Sequence, residues 1–494
     1  MNRITVDRKT LTLLEEANRL QEGNTVQVLI IGAGISGLEA ARLLRQNGIK
    51  ILVLEARNRT GGRIWSIRSK TNRILEMGAS FIHGIDGSIP SGFLTNPVWD
   101  LVREANIRTK SPKKKDFLGV YPVEDSISDA PRWHNEYMTF VREQTRTSSK
   151  NVSFEYYANL FAKQKNFTEK QQYVFSNYLH FMISNNEGAD LDAINAKAFL
   201  DINSLHYGRW HIFDETGYMA LTYYLARDLD NIRLEQVVKK IVSNEKFVEV
   251  STTDGQVYRA EFVLITVPLG VMKSKQIEFN PSLPQWKLDA IDRIGFGTYE
   301  KLFLLWDRPW WNFTGFHYMR IPSESTEFRY WVIADKSNDK PVLACHFSGR
   351  AAIQLKSKLN QDEIVEEIRG TLQKMFPDIV IPQLVASYMT NWNQDPFSYG
   401  SYSYISVKQK YEDPLYLAEQ INDRLLFAGE ATSTDAYGYT HGALLSARRE
   451  VTRLLFVYDL LPTQNSTTSR SAMTIPLEGF IIIISFIWLQ LCVH

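Results

Sequence analysis

Cysteine is nearly missing from this chain: Cys345 and Cys492 are the only two in 494 residues. Neither a disulfide framework nor a thiolate metal site can be built from so few, and no metal site is expected. Net charge is missing as well. Fifty-six basic residues balance 55 acidic ones to leave +1, so no strong field draws a nucleic acid or an anionic surface, and no nucleic-acid partner is expected. The first 26 residues lack the apolar core of a secretory signal peptide; they are polar, with a short amphipathic stretch around 11–20. A long apolar run is wanting too. Residues 479–493 (GFIIIISFIWLQLCV) carry no charge, yet a spanning helix wants roughly 20 residues. Three readings of this tail stay open: a C-terminal membrane anchor, a lipid-anchor signal preceded by the small and polar residues of 465–471, and a buried tail. Asn-x-Ser/Thr triplets, as at Asn166 and Asn312, occur at chance frequency and carry no weight.

What is present is ordinary globular material. Hydrophobic residues make up 44% and charged residues 22%, and the length predicts two or more packed units. Tyr (23), Trp (11) and Phe (26) are plentiful, enough for large cores or an aromatic-lined site. Residues 27–31 (QVLII) read as a buried parallel strand. Residues 36–47 have helical spacing in Leu38, Ala41 and Leu44, with Gly48 where a helix-terminating glycine belongs. Residues 50–56 (KILVLEA) are a second buried strand, so the stretch is a βαβ unit. The region 100–170 is charged and helical in parts, its basic run at 113–115 reading as a solvated turn. Helices are expected around 178–183 and 218–229. Strands 248–252 and 256–260 flank Asp254-Gly255 as a hairpin, and 262–267 (FVLITV) reads as a further buried strand ended by Pro268. Residues 299–350 look strand-rich, 362–376 an amphipathic helix, 424–428 a last strand and 443–457 a last helix. Nucleotide-domain texture thus occurs three times, around 26–95, 230–290 and 410–460, separated by two inserts.

The strongest motif is Gly32-Ala33-Gly34-Ile35-Ser36-Gly37. G-x-G-x-x-G alone is weak, but here it follows a strand, opens a helix and is answered by Glu55 at the end of the next strand. The glycines allow a tight turn and close approach to a pyrophosphate. The helix start, with Ser36, offers N–H groups to phosphate. Glu55 can accept hydrogen bonds from ribose hydroxyls and would repel a 2′-phosphate, which argues against NADP. Gly61-Gly62-Arg63 adds a second close approach with a cation for phosphate. Simple NAD sites do not need it, so it favours FAD.

Beyond these, Met77-Gly78-Ala79-Ser80-Phe81-Ile82-His83-Gly84, 263–272 (VLITVPLGVM), Tyr299-Glu300-Lys301, Trp392 with Asp395-Pro396, 400–404, and Phe427-Ala428-Gly429-Glu430-Ala431-Thr432 leading to Tyr439-Thr440-His441-Gly442 follow in order. This series resembles the flavin-containing amine oxidase family, in particular its polyamine oxidase branch, over most of 26–460. The resemblance implies an α/β fold: a Rossmann-type FAD-binding domain (1–95, 230–290 and 410–460) interleaved with a mixed sheet-plus-helix substrate domain (96–229 and 291–409). A polar linker, 461–478, leads to the tail, 479–494. It also implies that Gly78, Ala79, Ser80, Phe81 and Ile82 line the flavin ring, and that Val238 meets adenine through its backbone. Glu430 would bind the diphosphate–ribityl region and Thr440 the pyrimidine edge, with Trp392 also among the cofactor residues. Lys301 matches the lysine that holds a water near flavin N5. Tyr402 and Tyr439 match the aromatic pair around the substrate. His83 stands where some plant enzymes of the branch carry an acid, and resembles enzymes acting on spermine or its acetylated forms.

The residues themselves leave bland readings beside these. Lys301 lies in YEKLFLL, where it can face solvent or a site; in a site, desolvation would lower its pKa. Tyr402 and Tyr439 can be core packing or a cage for an amine chain. His83 can be a loop histidine or a group orienting a substrate nitrogen near neutral pH. Glu187, in Asn186-Glu187-Gly188-Ala189, can be a solvated loop acid or the partner of a distal ammonium. No cysteine lies in 395–404, where the family's monoamine branch attaches its flavin, so FAD is expected to be non-covalent. The family's histone-demethylase branch carries long helical inserts and partner domains not seen here. The expected reaction is hydride loss from the carbon beside an amine nitrogen to FAD, with O2 as final acceptor and hydrogen peroxide as product. Monoamine or L-amino acid oxidation and a non-catalytic flavin scaffold are the alternatives. The chain is expected to be a monomer or weak dimer, cytoplasmic or anchored by its tail at a cytoplasmic membrane face.

Overall fold

The computed structural model describes residues 24–85, 96–110, 119–120, 129–146, 150–202, 209–212, 214–311, 317–319, 330–333 and 341–460. The basic run 113–115, the linker 461–478, the tail 479–494 and the N-terminal amphipathic stretch lie outside them. Strand β1 (Thr25–Ile31) leads through the glycine turn into helix α1 (Ile35–Gln46), and the chain returns as β2 (Ile51–Leu54). Gly48, with φ of 76°, ends the helix. This is the βαβ unit read from the sequence. The apolar run of β1 is buried because the strand has parallel partners on both sides, β2 on one and β3 (Val257–Ile265) on the other. Leu38, Ala41 and Leu44 of α1 cover one sheet face.

The large sheet runs in the order 278–280, 238–243, 248–252, β3, β1, β2, 232–233, with 425–427 also paired to β3. Here the structure corrects the sequence reading. Residues 256–260 and 262–267 are not two strands but one of nine residues. Its first half pairs antiparallel with 248–251; its second half pairs parallel with 425–427. Burial alternates in the first half and is nearly continuous in the second. An antiparallel hairpin can wet one face, whereas a parallel sheet is covered on both.

A second, six-stranded sheet places β4 (Tyr299–Leu305) between strands Ala386–Met389 and Val342–Ser348, antiparallel to each. Alternation sorts β4 cleanly. Leu302 and Leu304 pack with Ile364, Ile368 and Leu372 of helix Gln361–Met375. Phe303 and Leu305 pack on the other face with Leu75 and Met77. Segment 74–83 therefore runs against the side of β4 that carries Tyr299 and Lys301, between the two sheets. A helical layer over 130–202 holds its own aromatic core of Tyr137, Phe154, Phe161 and Phe175. Helix α2 (Thr440–Thr452) closes the large sheet by packing Leu444 and Ala447 with α1. Among the described residues no helix is long and apolar enough to cross a membrane.

Leu264, fully buried where β3 lies between its two parallel partners, tests this packing. Leu264→Ala is expected to cost about 2–5 kcal/mol, read as a lower denaturant midpoint for loss of tryptophan signal. An unchanged midpoint would show that this half of β3 is not the core the burial indicates.

Candidate active site

A cavity of about 1160 Å3 extends from the glycine turn to the inner face of the second sheet. Its first end is built of backbone. Gly34 caps α1 with no side-chain bond and no acid in the first turn, so the helix start faces the cavity as a donor surface. The turn has no room to spare: a Cβ on Gly37 would stand 1.9 Å from the carbonyl oxygen of Gly32. Glu55 Oε2 accepts the Ala33 N–H at 2.7 Å and Oε1 the Arg57 N–H at 2.9 Å. Burial raises its pKa, and these two amides pull it back. Glu55 thus shapes the turn as well as bordering the cavity. Val238 lies on the cavity wall.

The arginines here carry carboxylate partners that the sequence did not disclose. Arg57 holds Asp395 through two bonds, at 2.6 and 2.9 Å. Arg63 donates to Glu430 Oε1 at 2.8 Å and to the Ser401 carbonyl at 2.9 Å. Glu430 Oε2 accepts the Ser403 hydroxyl and the Gly438 N–H, the latter at 2.7 Å. Arg63 and Glu430, expected to act separately on phosphate and ribityl, are an ion pair first. Near them α2 also starts without a side-chain cap or an acid, at Thr440, whose hydroxyl lies 3.1 Å from that of Tyr218.

At the other end the lysine of β4 is buried, not solvent-facing. Lys301 Nζ donates to the carbonyls of Glu76 (2.8 Å) and Gly78 (2.6 Å) and to the hydroxyl of Ser80 (2.7 Å). Burial lowers the pKa of Lys301 and raises that of Glu76, while their opposite charges pull both back. Glu76 is itself fixed, accepting from the Ser66 hydroxyl at 2.7 Å and the Tyr218 N–H at 2.9 Å. Trp392 steadies the same segment by donating its indole N–H to the Met77 carbonyl at 3.0 Å.

Beyond Lys301 the walls are aromatic. Tyr402 donates to the Asn186 carbonyl at 3.1 Å, and Tyr439 stands 5.1 Å from His83, ring to ring. Burial raises the pKa of both tyrosines, and the charge of Glu187 raises them further. Glu187 is therefore a buried acid, not a solvated loop residue. Tyr299 stands 6.1 Å from Tyr402, ring to ring, and its hydroxyl is bonded to His346 Nδ1.

Of the residues singled out from the sequence, all but two border this cavity. Gly37 packs beneath the turn. Ile82 was expected beside the flavin, but strand alternation turns its side chain into the core while Phe81 and His83 face the cavity. Glu76, Phe303, Tyr299 and His346 went unassigned. Counting by twos from Lys301 along β4 finds Tyr299 and Phe303. His346 needs the cross-strand register, which sequence does not state.

The family model described as flavin containing amine oxidoreductase matches residues 35–455. The chain belongs to this family. Its cofactor is FAD. Probable polyamine oxidase 4 of Arabidopsis thaliana is 31% identical over 466 residues, covering 88% of this chain and 89% of that one. Lysine-specific histone demethylase 1 homolog 2 of Oryza sativa subsp. japonica is 30% identical over 455 residues, covering 87% of this chain and 57% of that one. Lysine-specific histone demethylase 1 homolog 3 of Arabidopsis thaliana is 28% identical and covers 90% of this chain; the match spans only 30% of its length. A solved structure of a putrescine oxidase double mutant superposes with a TM-score of 0.67 at 18% identity, covering 87% of this chain and 99% of that one. That likeness shows the fold alone.

The cavity suits FAD by its own construction. Two uncapped helix N-termini, α1 and α2, open on it, which suits the diphosphate and an electron-rich ring edge. The tight packing of Gly37 on Gly32 gives a test. Gly37→Ala is expected to strip most of the bound flavin, read as the ratio of flavin to protein absorbance, with far-UV circular dichroism retained. Full flavin content in this variant would refute the role given to the turn.

Proposed function

We propose that this chain is a polyamine oxidase, which oxidises a carbon–nitrogen bond of spermine, spermidine or an acetylated form to an aldehyde, a shorter amine and hydrogen peroxide. The observation that carries the reading is Glu187, a buried acid on the wall of the cavity that Tyr402 and Tyr439 also line. A carboxylate inside a ring-walled cavity is a receptor for a long cationic chain. Bound FAD supplies the hydride acceptor and passes the electrons to O2. The rings of Tyr402 and Tyr439 hold the methylene chain, and Glu187 accepts from an ammonium remote from the reacting carbon. The reacting nitrogen must be neutral, because its lone pair assists hydride loss. His83, beside Tyr439, is placed to take the proton that neutrality requires. Lys301 sits deeper, where it holds water or moves a proton at Nζ.

The same proposal covers organisation. FAD is held without a covalent bond: Cys345, the one cysteine among the described residues, packs in the core behind β4. Residues 1–95, 230–290 and 410–460 form the FAD-binding domain, an assignment supported by the large sheet, which draws its described strands from 25–54, 232–280 and 425–427. A second reading has support in the relatives named histone demethylases: an N-methylated lysine side chain presents the same reacting nitrogen.

Peroxide release from spermine, spermidine, acetylspermine, tyramine, leucine and a methyl-lysine peptide separates these readings. Turnover is expected with the polyamines; peroxide from the peptide alone, or from none, would overturn the proposal. Lys301→Met is expected to slow flavin reduction by about 10²–10⁴-fold with FAD still bound. Because burial lowers the pKa of Lys301, its neutral form appears at lower pH than that of a free lysine, about 10.4. The wild-type rate should therefore rise through a limb centred below that value, and the variant should lose this limb. A limb unchanged in Lys301→Met would remove the lysine from proton transfer.

A further inference from the structure

Tyr299 and Lys301 stand two residues apart on β4, so both point into the cavity. Across the ladder the register pairs Lys301 with His346 and Tyr299 with Ser348. His346 is thus the cross-strand neighbour of Lys301 and the diagonal neighbour of Tyr299. The phenol bonds the imidazole at Nδ1, and the two rings meet edge to face with centroids 5.3 Å apart. This is a built feature. Tyr299 is fixed from behind, its N–H donating to Ser401 Oγ at 2.8 Å while that hydroxyl donates back to the Tyr299 carbonyl at 2.9 Å. The neighbouring Ser348 donates to Asn185 Oδ1 at 2.6 Å, and the Thr298 N–H to the Gly188 carbonyl at 2.8 Å. Those two bonds tie both strands to the turn that carries Glu187, so dyad and carboxylate occupy one wall.

A phenol has one proton and two acceptor lone pairs. In the imidazole tautomer whose Nδ1 is unprotonated, that proton is given to the ring and the oxygen keeps lone pairs complementary to an ammonium. Two residues along a strand is roughly 6.8 Å, so the two side chains leave β4 about a short alkyl chain's length apart. We propose that the Tyr299–His346 dyad is a specificity element for the second nitrogen of a diamine or polyamine. Tyr299 accepts a hydrogen bond from that nitrogen, and His346 is the positioning residue that orients the phenol. The inference rests on the amine-oxidising reading above and narrows it: substrates need a second cationic nitrogen, and a monoamine of equal length lacks the contact.

The holoenzyme can be mixed anaerobically with 1,6-diaminohexane or with n-hexylamine, and the concentration dependence of the rate of flavin bleaching gives the apparent Kd of each amine. The wild type is expected to prefer the diamine at least tenfold. Tyr299→Phe and His346→Leu should each erase most of that preference through weaker diamine binding, with hexylamine binding and FAD content unchanged. His346→Asn, whose amide can still accept from the phenol, should restore it, which a merely structural role for the histidine would not. Steady-state assay with spermine should show the same variants raising KM with kcat nearly unchanged. If the wild type prefers the diamine and both Tyr299→Phe and His346→Leu keep that preference, or if both amines lose affinity equally, the dyad has no such role. If the wild type binds neither amine, the amine-oxidising reading fails, and the dyad's role fails with it.

Discussion

The ammonium of Lys301 is the point on which the two halves of the molecule meet. It belongs to the second sheet, yet its three bonds go to Glu76, Gly78 and Ser80 of the segment between the sheets. That segment begins near the Gly61–Arg63 turn, where Gly78 lies so close to Arg63 that a Cβ would stand 1.8 Å from its carbonyl oxygen. It ends in strand Phe81–His83, which carries two rings into the cavity. One buried cation thus sets the distance from the dinucleotide turn to the aromatic end. A neutral apolar residue in its place would leave two carbonyls and a hydroxyl without their donor, and buried unsatisfied acceptors are costly. The charge is costly too, so a lysine here is explained only by what its nitrogen does.

Two ion pairs at the cofactor end are likewise shared between distant segments. Arg57–Asp395 and Arg63–Glu430 each join the first βαβ unit to residues more than three hundred positions later. Glu55 spends both its oxygens on the turn that follows β1. The cofactor end is therefore assembled before any ligand enters: its donors are backbone amides and helix starts, and Arg57 and Arg63 are already paired with carboxylates. Such preorganisation lowers the entropy lost on binding. It also explains why the glycines at this end leave no space for substitution at Gly37.

Much of this was legible in the sequence, for identifiable reasons. The βαβ unit shows because a doubly paired parallel strand must be apolar throughout, as in QVLII, and because Gly32, Gly34 and Gly48 sit where only turns want them. Lys301, His83, Tyr402 and Tyr439 were readable as motif members, and all four line the cavity. What stayed hidden needs three dimensions. The single strand β3 looked like two because its partner changes from antiparallel to parallel midway. Ile82 looked like a cavity residue because a motif lists consecutive positions while a strand turns every second one away. His346 lies in no motif; only the register opposite Lys301 brings it in. The ion pairs of Arg57 and Arg63 likewise depend on contacts that local pattern does not encode.

The two ends of the cavity differ in electrical character, and that difference accounts for the order of its parts. Two helix N-termini, α1 and α2, put partial positive charge where an anionic, electron-rich cofactor belongs. Glu187, the Tyr299 phenol and the faces of Tyr402 and Tyr439 put negative charge and quadrupole at the other end. Lys301 stands between, a cation weakened by burial. The burial that makes this lysine expensive to fold is thus the same property that draws its pKa down.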